Sequence, residues 1–135
     1  MHRRHLMSLL LAGAAAPARA AGPATPLTFP ADFGAHAASR TEWWYLTGSL
    51  QNGTATWGFQ ITFFRSRTGL ADDGASRFAA TELVFAHAAL TDLEQRRLRH
   101  DQRIARSGFG IAAAAAGETD VVLRDWRLAR RAGTY

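Results

Sequence analysis

The sequence predicts an all-β protein built as an antiparallel meander, on three observations. Apolar and polar residues alternate with a period of two in several segments, short turns separate these segments, and no stretch has a long helical period. Four or five strands with one strongly apolar face are too few to close an eight-stranded barrel. We therefore expect either an open sheet or a fragment of a longer chain, and we favour the fragment.

The first two strands carry the clearest pattern. The first begins at Glu42 and contains strong strand formers, and Asn52-Gly53 after it is typical of a hairpin turn. In the return strand one face is strongly apolar and the other is small or polar. The apolar face holds Trp57, Phe59, Ile61 and Phe63; the other holds Thr56, Gly58, Gln60 and Thr62.

The later elements are less regular. A third strand is predicted over 78–89 and a fourth, more polar one over 97–105. The alanine-rich segment 111–116 favours a short helix on propensity, ended by Gly117. A fifth strand is predicted over 121–128. In the third strand one face holds Leu83, Phe85, His87 and Ala89, and the other holds Glu82, Val84, Ala86 and Ala88.

The N-terminus has the pattern of a secretory signal peptide over residues 1–20. A basic start, a short apolar run and a small-x-small site predict cleavage after Ala20, and the run is too short to span a bilayer. We expect a periplasmic or secreted protein, with a linker and irregular segment over 21–39 and a domain over 40–135. Cleavage removes 3 of 16 arginines, and the remaining 13 against 11 acidic residues give +2, which does not indicate nucleic-acid binding.

Three segments in order resemble the AttH-like family, which includes the carotenoid 1,2-hydratases, also called hydroxyneurosporene synthases. They are RTEWWYLTG over 40–48, GFQITFFR over 58–65 and FAHAALTD over 85–92, preceded by FPADFGAH over 29–36. The resemblance implies two lipocalin-like β-barrels in tandem, on chains more than twice this length. It therefore implies that 40–135 is most of a first barrel, incomplete here, and that a second barrel domain is missing from this chain.

The resemblance leaves two main functions open. One is an exported protein that binds an apolar ligand, a lipid or isoprenoid, as an accessory to an ABC-type transporter; the signal peptide favours it. The alternative is a carotenoid 1,2-hydratase, a hydro-lyase that adds water to a terminal C=C bond by acid catalysis. A third interpretation is a truncated product whose sheet never closes.

Glu42 and His87 are the candidate catalytic residues. A carboxyl beside tryptophans could donate a proton, and a strand histidine could shuttle one. Their structural alternatives are a Glu42 ion pair with Arg40 or Arg65, and a hydrogen-bonded core histidine. The predicted ligand pocket comprises Trp43, Trp44, Tyr45, Trp57, Phe59, Gln60, Ile61, Phe63, Phe85 and Asp92.

The two faces of the first strand compete for the barrel interior. Glu42 and Trp44 share one face, Trp43 and Tyr45 share the other, and only one set can line a pocket. Asp92 is most simply a turn residue. We predict no cofactor and no metal, because the spacing of His36, His87 and His100 matches no metal motif.

Overall fold

A four-stranded antiparallel sheet dominates the computed structural model, which describes residues 26–70, 76 and 78–135. Its strands β1 (Thr41–Asn52), β2 (Ala55–Arg67), β3 (Glu82–Asp92) and β4 (Arg97–Arg106) pair in chain order. The predicted meander is confirmed. The third strand starts four residues later than expected and extends to Asp92. The predicted signal peptide and residues 21–25 of the linker lie outside the described residues.

The turn between β1 and β2 is shifted one residue from the predicted Asn52-Gly53 pair. Asn52 is still paired, opposite Ala55, so Gly53 and Thr54 form the two-residue connection. Gly53 has φ +61, and a two-residue turn with a positive φ at its first central position is a type II′ pattern that suits glycine.

A second, smaller sheet follows, and two predictions fail in it. It contains β5 (Ala112–Ala114), β6 (Asp120–Leu123) and β7 (Trp126–Ala129). The predicted helix over 111–116 is wrong because Ala112 packs into the core, 2% exposed, so tertiary packing overrides propensity. The single strand over 121–128 is also wrong, because the chain turns between β6 and β7, where Arg124 has φ 57.

The core lies between the two sheets. We call the side of the four-stranded sheet that the small sheet covers the inner face, and the opposite side the outer face. Opposed residues in an antiparallel pair project to the same side, so the β1–β2–β3 register places Trp44, Phe63 and Ala86 together on the inner face. The buried core comprises Phe63, Val84, Ala86, Ala112, Val121, Leu123 and Leu128.

The segment before β1 closes one end of the molecule. The carbonyl of Phe33 accepts hydrogen bonds from Trp44 Nε1 at 3.0 Å and from Thr119 Oγ1 at 2.7 Å, joining the two sheets. Next to it, Gly34 lies so close to the β5–β6 connection that an added Cβ would be 2.3 Å from the backbone nitrogen of Gly117. Across the described ranges, no helix is long and apolar enough to cross a membrane.

Candidate ligand-binding site

An open, apolar depression lies on the inner face beyond the edge of the small sheet. We call it the apolar trough; its volume is about 550 Å³. Its inner-face side chains come from all four strands: Leu50, Phe59, Ile61, Ala88, Leu90, Arg99 and Asp101, with Ala89 and His100 completing the lining. A space of this size and apolar character is in the range of small-molecule sites, about 300–1,000 Å³.

Small residues give the trough its depth. Gly48 lies opposite Phe59, and a Cβ at Gly48 would be 2.9 Å from the Phe59 ring, so the ring lies over the glycine. Ala88 lies opposite Ile61 and adds only a methyl group to the floor. The floor is therefore apolar along β2 and β3, yet not filled by its own side chains.

The β4 wall of the trough is charged. Leu90 lies opposite Arg99, and Ala88 opposite Asp101. Farther toward the core, Arg103 pairs with Asp125 and stacks 4.7 Å from the centre of the Trp126 ring. The charged rim is thus formed by the inner-face residues of one edge strand.

At the opposite end of the inner face a buried guanidinium organises a charged cluster. The Arg65 side chain is 4% exposed; Nε donates to Glu42 Oε2 at 2.9 Å and Nη1 to Glu82 Oε2 at 2.5 Å. Its Nη2 donates to the carbonyls of His36 at 2.7 Å and Ser39 at 2.9 Å. Burial alone would lower the pKa of Arg65, but hydrogen bonds and charges from Glu82 and Glu42 outweigh it and raise that pKa.

His36 extends the cluster toward solvent. Its ring nitrogens lie 2.8 Å from Asp32 Oδ1 and 2.7 Å from Glu42 Oε1. The hydrogen bond with Asp32, followed by that with Glu42, raises the pKa of His36 above its usual 6.5. The same bond with His36 lowers the pKa of Asp32. The expected Glu42–Arg65 pair is present, and Glu42 also accepts from the backbone N–H of His36.

The predicted site residues divide between the two faces. Along the inner face lie Glu42, Trp44, Trp57, Phe59, Ile61, Phe63 and Asp92, and along the outer face lie Trp43, Tyr45, Gln60, Phe85 and His87. Of these, only Phe59 and Ile61 line the trough. Trp44 and Phe63 pack in or against the core, and Asp92 Oδ1 accepts from the N–H groups of the following turn.

The two candidate catalytic residues are not brought together. Glu42 is on the inner face at the closed end, whereas His87 is exposed on the outer face, with its ring 5.3 Å from that of Phe64. Trp43 and Tyr45 are also exposed on the outer face, 60% and 62%. No single substrate atom could contact both Glu42 and His87 across the sheet.

Sequence reasoning missed several trough residues, namely Leu50, Ala88, Leu90 and Arg99. The signal that would have found them is the pairing register. Leu90 and Ala88 lie opposite Phe59 and Ile61, and Arg99 lies opposite Leu90. Leu50 lies opposite Trp57, which shares the inward face. Within the described part of the chain, no group of three or more histidine, aspartate or glutamate side chains is placed to hold a metal ion.

Comparisons with known proteins agree with this architecture. A family model described as AttH-like matches residues 20–135. A solved structure named as a candidate AttH from Nitrosomonas europaea is 44% identical, with a TM-score of 0.69, over 83% of this chain and 33% of that one. The chain therefore spans about a third of the length of that solved protein. A search of curated proteins found no match.

Proposed function

Because the chain belongs to the AttH-like family, we propose that it is an exported lipocalin-like protein that binds an apolar ligand, a lipid or isoprenoid, in the apolar trough. The observation that carries the proposal is the trough itself. It is an apolar space of about 550 Å³ on the face that, nearer the core, packs against the small sheet. An apolar space left open beside a close-packed core is typical of a binding site.

The division of the inner face supports binding over catalysis. The oxygens of Glu42 accept hydrogen bonds from Arg65 and His36, so the carboxyl is occupied as an acceptor. Glu42 and Leu50 are eight residues apart on one strand, up to about 26 Å at about 3.3 Å per residue. A double bond held in the trough would therefore lie far from this carboxyl, which disfavours the carotenoid 1,2-hydratase alternative.

Export is proposed from the N-terminal sequence pattern, and transport from the family resemblance. The N-terminal pattern predicts delivery to the periplasm or outside the cell. A lipid or isoprenoid needs a carrier there because its apolar surface is costly to expose to water. Service to an ABC-type transporter is part of the proposal on the strength of the family resemblance.

Filling the trough tests the proposal. In the full-length gene product, Nile red, a neutral hydrophobic dye, should bind with increased emission, and Ala88→Phe should abolish this binding by placing a ring on the trough floor. Ala113→Phe is the matched control, because Ala113 is exposed on β5 and outside the trough. Unchanged dye binding in a folded Ala88→Phe protein would place the ligand elsewhere.

A further inference from the structure

We infer that the trough takes an amphiphile with an anionic head group, a carboxylate or phosphate attached to an alkyl or isoprenoid chain. This deepens the proposed function and rests on it. The observation is that one wall of an apolar space carries Arg99, which makes no ion pair or hydrogen bond within the part of the chain that the structure describes. An all-hydrocarbon ligand would leave that charge unused at the mouth of its site.

The arginines on the inner face of β4 differ in how they are paired. Arg103 is committed to Asp125, contacts Asp101 at 3.6 Å and stacks on Trp126. Arg99 lies four residues away on the same face and makes no ion pair or hydrogen bond with any described residue. It is nevertheless directly opposite Leu90, on the trough floor. The guanidinium beside the apolar surface is therefore available to a ligand.

Along the inner face of β3 and β4, Asp92 lies opposite Arg97 and Asp101 lies opposite Ala88, so Arg99, opposite Leu90, has no acidic cross-strand partner. Asp101 is the acidic side chain of the lining, and its carboxylate already accepts from the N–H of Gln102 at 2.7 Å and faces Arg103. Arg97, two residues from Arg99 on the same face, also makes no ion pair among the residues that are described. Guanidinium groups bind carboxylates and phosphates through paired N–H donors.

The geometry thus combines the two parts of an amphiphile site. A chain lying across Phe59 and Leu90 would have its end at β4 beside Arg99, which continues that row on the same face. An anion there would keep its contact with water while the chain is covered, which avoids burying an unpaired charge. An apolar surface next to Arg99 should therefore favour ligands with an anionic end over neutral ligands of equal length.

Displacement of Nile red by matched twelve-carbon ligands tests the inference. Dodecanoate and dodecyl phosphate should each displace the dye from the full-length protein at lower concentration than dodecan-1-ol; which anion is stronger distinguishes the two head groups. Arg99→Gln should weaken the better anion up to about fivefold, the size of an exposed ion pair, and leave dodecan-1-ol unchanged. Added salt should reduce the anion preference of the unmodified protein.

The control is Arg124→Gln, which removes the same charge from an exposed turn outside the trough and should retain the preference. Equal displacement by the anions and the alcohol, or an anion preference that persists in Arg99→Gln, would overturn this inference while leaving apolar binding intact. If the dye does not bind at all, the proposed function fails and this inference fails with it.

Discussion

Removing the guanidinium of Arg65 should be the most damaging single change in the charged cluster. Arg65→Met keeps a side chain of similar length but deletes all the donors. The Glu42 and Glu82 carboxylates would then lose the guanidinium that lies between them, and the His36 and Ser39 carbonyls would each lose a donor.

The burial of these charged groups determines how much stability Arg65→Met should lose. The side chains of Arg65, Glu42 and Glu82 are 4%, 13% and 24% exposed, so water can reach the two carboxylates only in part. Deleting one partner of a buried ion pair costs about 3–5 kcal/mol, because the remaining charge is left uncompensated. We expect the free energy of unfolding to fall by that amount.

Urea unfolding measures the loss. With a slope of about 2 kcal/mol per molar urea, the midpoint should move by about 1.5–2.5 M. Arg67→Met is the matched control: Arg67 is on the same strand and face but is exposed, with one 3.3 Å hydrogen bond to a carbonyl, so about 0.5 kcal/mol or less is expected. Equal midpoints for the two variants would refute the view that Arg65 organises this end of the molecule.

Two other predictions follow from the structure and one from the sequence. Because the pKa of His36 is raised in the folded protein, protonated His36 stabilises the fold fully below the unfolded pKa of 6.5, and this stabilisation is lost as the pH rises through the folded pKa. The urea midpoint should therefore change more between pH 6 and pH 9 in the unmodified protein than in His36→Gln. Equal changes in the two proteins would contradict this. Gly34→Ala should lower the free energy of unfolding, measured in urea, by about 1–3 kcal/mol, because its Cβ would meet the Gly117 backbone. The control is Gly58→Ala, where an added Cβ has space. Equal losses of unfolding free energy in the two variants would count against the clash. Mass spectrometry of the exported protein should show cleavage after Ala20, and an intact N-terminus would disprove the signal peptide.

The strands that alternate most regularly were predictable. In β2 every second residue from Trp57 to Phe63 is apolar, and all four do project from one face. The inward face of β1 could not be read from β1 itself, because Trp43 and Trp44 make both faces aromatic. The register with β2 determines which face of β1 points inward, because Trp44 lies opposite Phe63 and the small sheet covers that side.

The small sheet escaped prediction because its strands depend on distant partners. An alanine run has high helix propensity, yet Ala112 and Ala114 pair with β6 and cover Val84 and Ala86. Three- and four-residue strands carry too few alternations to be detected from sequence alone.

The candidate site was predictable only in part. Phe59 and Ile61 were identified by periodicity, and Arg65 was one of the two arginines named as an ion-pair partner for Glu42. Arg99 stands in the short basic run Arg96-Arg97-Leu98-Arg99, whose composition alone is typical of a solvated strand edge. Its position beside the trough comes from the pairing of β3 with β4, which composition does not reveal.

The shared carbonyl of Phe33 has a consequence for the order of folding. The meander closes by successive hairpins between neighbours in the chain, whereas the hydrogen bond from Thr119 to Phe33 joins residues 86 positions apart. Contacts between distant residues carry a larger loop-closure entropy and form late. We therefore expect the contact between Phe33 and Thr119 to form late, when both sheets already exist, and after the bond from Trp44 to Phe33, which spans only 11 positions. The end of the molecule that the segment before β1 closes would then be completed only after both sheets have formed.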